Sequence, residues 1–504
     1  MNKKSFNFIL VCILSIAFQS CSKSVDSEPY LEQLLDKKEI LFEEISVQYG
    51  TAVWNLYSDE AEADQLTPRK RFQKLFSNDT INTLIDRWYS KRNNISNREL
   101  RRRVELWYNI LIAAKVNFDE EIFQLQNELE VWLTEEDSLP DMPSKEELEI
   151  MTTQLIHLRN EKARLLGYSD YPEMVLDVTE LGRDWFFDFL SIIDSVTLSP
   201  YKKLVAKTLE TKEEIEYSDV RQWIMDYYIF GFGPEIESEK KLILLKETLG
   251  NIGINYDQLP VKILVRDLPP MVGGQGIAVR IPDDFRIAVR PDLDFSGWMH
   301  EMGHGLQWIF TNTNVAILKG YEWCMGNDCG AFSEGLAETS ARMINNQKWL
   351  QRHSDYNERE YIESLEKMKM AFPVYLRKQL MDITEEIEFY RNPERDYHDL
   401  RNELAKKYYL VDKPLTRRRS VANMLYVSYP VYVQSYLIAD VISWQIHSTL
   451  EEKFGKDYIF EPEVGKFLKE NLYAHGELYS WQTRLKLATG KELDVEGFLK
   501  AFGL

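Results

Sequence analysis

The sequence predicts a mainly α-helical protein with a small β-sheet set just before its most distinctive helix. Three observations predict it. From Leu31 onward one amphipathic run follows another, with apolar residues spaced by three and four. Between residues 261 and 290 that pattern gives way to two-residue alternation rich in β-branched side chains. The helical pattern returns at once in DFSGWMHEMGHGLQWIF, where Trp298, Met299, Met302, Leu306, Ile309 and Phe310 form an apolar stripe.

The elements follow in order. LEQLLDKKEILFEEISVQYGTAVWNLY is amphipathic throughout, and so is RKRFQKLFSNDTINTLIDRWYSKR. RELRRRVELWYNILIAAKV and EEIFQLQNELEVWL come next. These helices carry many charges and no catalytic candidates. Pro140 and Pro143 mark a turn, and Ser144 with Glu147 three residues on has the spacing of a capping box. Gly167 reads as the stop of the helix that starts there, with a short helix after it. VKILVRD and FRIAVR read as short strands, with LPPMVGGQGIAV between them. Gly273, Gly274 and Gly276 suit a close backbone approach, to another strand or to a ligand. A phosphate loop does not fit, because no lysine or helix start follows in place. Residues 357 to 409 form a long helical stretch, and the last third is helical too. There Tyr426, Tyr429, Tyr432 and Tyr436 recur at three and four, which puts them on one helical face.

The chain has 504 residues, 44% apolar and 28% charged, with a formal net charge of −20. Those are globular values. The diffuse acidic balance argues against nucleic-acid and anionic-membrane partners. Lys3 and Lys4 precede an apolar run, Phe6–Phe18, too short to span a membrane, so residues 1–20 read as an export signal. Phe18-Gln19-Ser20-Cys21 resembles a bacterial lipoprotein cleavage box with Cys21 lipidated. A leucine commonly stands three before that cysteine, so plain secretion is the alternative. Residues 21–30 read as a tether. The address expected is the bacterial cell envelope, with membrane contact only through the lipid on Cys21. Cys324 and Cys329 then remain to form a disulfide, with two free thiols as the alternative.

The chemistry centres on His300-Glu301-Met302-Gly303-His304. On a helix the two imidazoles at i and i+4 point the same way and can grip one zinc ion. Glu301, beside the first of them, can take a proton from the water that zinc activates. The bland alternative is a pair of satisfied core histidines. Against it stands AFSEGLAETSARM, where Glu334 and Glu338 again lie at i and i+4. Two carboxylates on a largely apolar face are costly unless partnered. Glu334 as the third zinc ligand answers for one. Glu338, a turn on, can accept a hydrogen bond from a ligand histidine.

With these residues in place, the chain resembles the zinc peptidases whose third ligand is a glutamate. Within them it resembles the angiotensin-converting-enzyme and thimet-oligopeptidase group. DDFRI, HEMGH and FSEGLAE are similar to the converting-enzyme family. RNEKARLLGYSDY is similar to a segment of both families, and YPVYVQSY resembles the family's pair of tyrosines. The resemblance implies a two-lobed helical clam shell around a deep channel. It implies a single peptidase domain over 31–504, with 31–140 a helical lid region and 141–504 the catalytic body. It implies one zinc ion on His300, His304 and Glu334, and Glu301 as general base. Tyr432, with Tyr429 beside it, becomes the donor to the transition-state oxyanion, and Gly274, Gln275, Gly276 and Ile277 the edge strand that pairs with substrate. Two departures stand out. Gly273 occupies a place where the family has a histidine, and RRRSVANML lacks another. Arg418 and Arg419 take the place of a lysine that holds the substrate carboxylate, since an arginine fork suits that group. The function implied is hydrolysis of short peptides, by a dipeptidyl carboxypeptidase or an oligopeptidase. The alternatives are a zinc-holding peptide-binding lipoprotein with little turnover and a zinc hydrolase of a non-peptide amide.

Overall fold

A computed structural model of the protein describes residues 27–502 apart from 62, 135–141, 232–235, 269–271 and 355–356. The export signal, Cys21 and the tether as far as residue 26 lie outside the described residues. These residues form twenty α-helices and one three-stranded sheet, so the expected fold class holds. None of their helices is long and apolar enough to cross a membrane.

The first helix, Glu28–Ser58, begins three residues earlier than the sequence pattern placed it, with Pro29 in its first turn. It buries Leu31, Leu35, Phe42, Ile45 and Trp54. Each side chain of that size contributes about 1.5–3 kcal/mol when fully buried. The second amphipathic run divides into Leu66–Phe76 and Asp79–Ser90. Asn78 divides it, because its side chain accepts the Ile81 N–H and so caps a new helix. Ser144 and Glu147 form the expected capping box on Lys145–Leu165. Gly167 ends that stretch at φ +98°, a left-handed conformation that only glycine adopts freely. The 357–409 stretch is two helices, Glu358–Arg391 and Tyr397–Tyr409, separated around Pro393.

The sheet has the order β1 (Val261–Val265), β3 (Asp284–Val289), β2 (Gly274–Arg280). β1 runs parallel to β3, with Val261 opposite Phe285. β2 runs antiparallel to β3, with Gly276 opposite Ile287. One continuous core reaches from Leu31 to Phe502. A smaller cluster of Trp54, Leu268, Ile277, Val279 and Ala288 seals the sheet against the first helix.

The tyrosine stripe is a correction. Met424–Val427 is a single helical turn, and the next helix starts only at Gln434. Pro430 has no N–H to continue a helix and keeps the residue before it out of the helical region. Val431 follows at φ +57°. Tyr426, Tyr429, Tyr432 and Tyr436 therefore do not share one helical face.

Candidate metal centre

The helix Phe295–Ile309 carries both histidines. Asp294 caps it, accepting the Gly297 N–H at 2.7 Å. Phe295, Trp298, Met299, Met302, Leu306 and Trp308 are buried, which fixes the rotation of the helix and turns His300 and His304 to one side. Their rings stand 4.9 Å apart. The helix Gly330–Arg342 crosses at Gly303, where a Cβ would lie 2.7 Å from the Ala337 Cα. No larger residue allows this approach, and the approach brings Glu334 to the histidines.

Glu334 Oε2 lies 3.4 Å from His300 Nε2 and 3.8 Å from His304 Nε2. One donor atom from each of the three residues falls within 4.8 Å of the others. Zinc bonds of about 2.0–2.2 Å in a tetrahedron need donors a little over 3 Å apart, so the set fits such an ion. Glu334 Oε2 is buried and has no hydrogen-bond partner, an acceptor waiting for a cation. The far nitrogen of each imidazole is engaged. His300 Nδ1 meets Glu338 Oε1 at 3.2 Å, the contact expected of Glu338. His304 Nδ1 meets Ser333 Oγ at 3.1 Å. Such contacts would leave the two Nε2 atoms available to a metal ion.

The electrostatics separate the two histidines. Burial opposes charge on both. At His300 the Glu334 and Glu338 carboxylates outweigh it and hold the imidazole well above its ordinary pKa. His304 lacks the direct Glu338 contact, and burial takes it down to about 4, which leaves the imidazole neutral. Burial also works against the Glu334 charge, but the two histidines and the Tyr432 hydroxyl hold that carboxyl below its usual value. A cation held by the three donors would take over the role of the His300 proton.

Glu301 lies under β2. A Cβ on Gly274 would stand 3.0 Å from its Cγ and Oε1, and one on Gly276 would stand 3.3 Å from its Oε2. The glycine run thus serves a close approach to a side chain, Glu301, which neither sequence alternative named. Burial, reinforced by the Glu334 charge, raises the Glu301 pKa, the direction that strengthens a carboxylate as a base.

Tyr432 donates its phenol to Glu334 Oε1 at 2.7 Å. Its ring rests on Gly330, where a Cβ would be 2.8 Å from Cε2. Tyr429 and Tyr436 flank it with ring centroids 6.4 and 5.6 Å away, and both are open to solvent at 54% and 42% exposure. Arg418 and Arg419 are exposed and pair with Asp396 and Asp382.

Three residues escaped the sequence reading. Ser333 is adjacent to Glu334, and its place was the available signal. Arg342 donates to Glu338 Oε2 at 3.2 Å and is also bonded to buried Asp440, which accepts the Tyr375 hydroxyl at 2.8 Å. Glu322, on the turn between the helices that carry His300 and Glu334, has a buried Oε1 without a hydrogen-bond partner. Burial and the charges of Asp328, Glu334 and Glu301 push its pKa well up.

The cysteine pair is a second correction. Cys324 and Cys329 are both buried free thiols. Gly326 between them, at φ +91°, packs against the backbone of Asn109 and Ile110. The Cys329 carbonyl meanwhile caps the next helix by accepting from Phe332 and Ser333. The loop is drawn onto the Arg98–Asn117 helix, and its turn is closed by the Asn327 N–H on the Cys324 carbonyl instead of by a sulfur bridge. Burial pushes both thiols upward, which makes them unreactive.

No family model matches the sequence, and no curated protein matches it. Solved structures do match. Trypanosoma cruzi metallocarboxypeptidase 1 aligns at TM-score 0.63 and 13% identity, over 94% of this chain and 98% of its own. Pyrococcus furiosus carboxypeptidase aligns at TM-score 0.64 and 16% identity, over 94% and 98%. An M32 carboxypeptidase from Deinococcus radiodurans aligns at TM-score 0.59 and 12% identity, over 93% and 97%. Across nearly its whole length, the chain has the mainly helical fold of these carboxypeptidases.

Proposed function

We propose that the protein is a zinc-dependent metallopeptidase that hydrolyses short peptides at the bacterial cell envelope. The observation that carries this reading is the donor set of His300, His304 and Glu334, with Glu334 Oε2 unpartnered and Glu301 beside it. The names of the fold neighbours support attack from the peptide C-terminus. Release of dipeptides and internal cleavage are the other modes the resemblance implies.

When bound, zinc supplies Lewis-acid chemistry at the scissile carbonyl and lowers the pKa of a water. Glu301, held under β2, removes a proton from the attacking water and delivers it to the leaving amine. Tyr432 turns its phenol from Glu334 to the carbonyl oxygen as charge develops there. Gly274 to Ile277 offer the backbone of β2 to an extended peptide. Arg419 or Arg418 takes the substrate carboxylate by exchanging its aspartate partner for it.

One observation favours a second reading, in which the protein binds peptides with little turnover. A side chain at Gly273 would meet Leu293 Cδ1 at 3.1 Å, so the position resists the histidine that the family places there. A peptide-library digest read by mass spectrometry, with and without a chelator, separates the two. Chelator-sensitive cleavage, lost together with zinc in His304→Ala and Glu334→Ala, is expected. Full zinc loading with every peptide intact would leave the second reading standing.

A further inference from the structure

The segment Arg159–Tyr171 was singled out in the sequence, yet the chemistry above makes no use of it. Its first residue, Arg159, is 1% exposed and reaches the tyrosine turn. Nη1 donates to the Tyr426 carbonyl at 2.6 Å and Nη2 to the Val427 carbonyl at 2.7 Å. These are carbonyls of the single helical turn Met424–Val427, which has no following turn to satisfy them. Nη1 also reaches the Tyr390 hydroxyl at 3.3 Å, and Nη2 reaches Gln126 Oε1 at 3.1 Å. Asn160 donates to the Tyr390 carbonyl at 2.6 Å and locks the two helices together.

The other end of the turn is held by a buried carboxyl group. Glu386, 4% exposed and one turn before Tyr390, accepts the Val431 N–H on Oε1 at 2.5 Å. Val431 is β-branched and sits at φ +57°, a conformation such residues adopt only when their surroundings compel it. The next residue is Tyr432, whose phenol ends 2.7 Å from Glu334 Oε1. Contacts thus run without a gap from Arg159 and Glu386, through the turn, to the Glu334 carboxylate.

We propose that Arg159 and Glu386 are positioning residues: they grip the two ends of the Tyr426–Val431 turn, hold Val431 left-handed, and so aim the Tyr432 phenol. The kinetic part of this proposal rests on the peptidase reading; the geometric part does not.

The test uses the full chain with 3-fluorotyrosine placed at position 432, alongside kinetics of the unlabelled protein. Burial raises the Glu386 pKa to about 8, so near neutrality its acceptor resembles an amide oxygen. Glu386→Gln should therefore keep one sharp fluorine resonance and the original kcat. Glu386→Met fills the space without an acceptor. It should broaden or split the resonance, in metal-free protein as well. It should also lower kcat by about tenfold with KM within about twofold, because a misaimed donor costs mainly the transition state. A wild-type resonance in Glu386→Met, or a glutamine variant that behaves like methionine, would overturn the proposal. If Glu386→Met does not fold, Arg159→Lys decides. Lysine lacks the rigid fork for two carbonyls, so heterogeneity at Tyr432 supports the clamp and a wild-type line refutes it. If no form hydrolyses peptides, the fluorine spectra still settle the clamp, and only the peptidase reading falls.

Discussion

Tyr432→Phe removes one oxygen, which contacts Glu334 in the structure and has a second task in the proposed mechanism. The phenol lies 2.7 Å from Glu334 Oε1, a hydrogen bond to a carboxylate. Bonds to charged groups contribute about 1.5–3 kcal/mol. Partners of this kind behind a metal ligand are worth roughly ten- to a hundredfold in metal affinity. The first expectation is therefore weaker zinc binding, measured by competition with a chromophoric chelator. The second concerns rate. Loss of an oxyanion donor costs up to about 3 kcal/mol, roughly a hundredfold in kcat. Here the donor must leave one carboxylate oxygen to reach another anionic oxygen, so the net gain is the difference between two charge-assisted bonds. Only stabilisation that is greater in the transition state speeds the reaction. A fall in kcat of roughly ten- to a hundredfold, with KM little changed, is expected for zinc-saturated protein on a fluorogenic peptide. Unchanged zinc affinity together with unchanged kcat would refute both tasks. Unchanged affinity with reduced kcat would leave the phenol to the oxyanion alone.

Three further outcomes follow from the same geometry. Glu301→Gln should keep zinc and lose hydrolysis, since the amide fits under Gly274 and Gly276 but takes no proton; turnover by the zinc-loaded variant would remove Glu301 as base. Cys324 and Cys329 should each react with a thiol reagent only after unfolding, and a mass shift matching a disulfide in folded protein would contradict this. Glu39 is buried beside Arg103 and Trp107, and burial lifts its carboxyl from 4.5 to about 7. Arg103 stays charged on Glu39 and exposed Asp36 together, so the cost of enclosure falls on Glu39, which is the less exposed of the two acids. A raised folded-state pKa means the folded chain binds the extra proton between those values. Stability from this group is then present below about pH 4.5 and falls by about 3 kcal/mol as pH rises through 7. Glu39→Gln should flatten that decline in denaturant midpoints, and an unaltered slope would show that Glu39 does not titrate there.

The helices were legible because their signals are local. The Ser144–Glu147 box and the Gly167 stop are set by a few adjacent residues, and both stand where the sequence puts them. The breaks at Asn78 and around Pro393 were missed because amphipathic spacing continues across them. A cap competes with that spacing, and at Asn78 it prevailed. The tyrosine stripe failed for a related reason. Spacing by three and four describes a face only while the helix lasts, and Pro430 was the available sign that it does not. The cysteines show a different limit. Only four residues separate them, but what keeps them apart is the packing of Gly326 on residues 109 and 110, more than two hundred positions away.

At the centre itself, His300, His304, Glu334 and Glu338 were readable because helical geometry fixes i and i+4 before any tertiary contact forms. What the spacing could not supply is the distance between the two helices. That depends on Gly303 meeting the backbone at Ala337, which places a carboxylate oxygen 3.4 Å from an imidazole nitrogen. It also could not supply the aim of Tyr432, which follows a strained turn. A local signal there would favour many conformations. Arg159 at one end and Glu386 at the other leave one, and they come from segments 227 positions apart in the chain. Residues proposed for the chemistry can therefore be read from short motifs. The residues that hold them in place are spread along the sequence and become visible only as contacts.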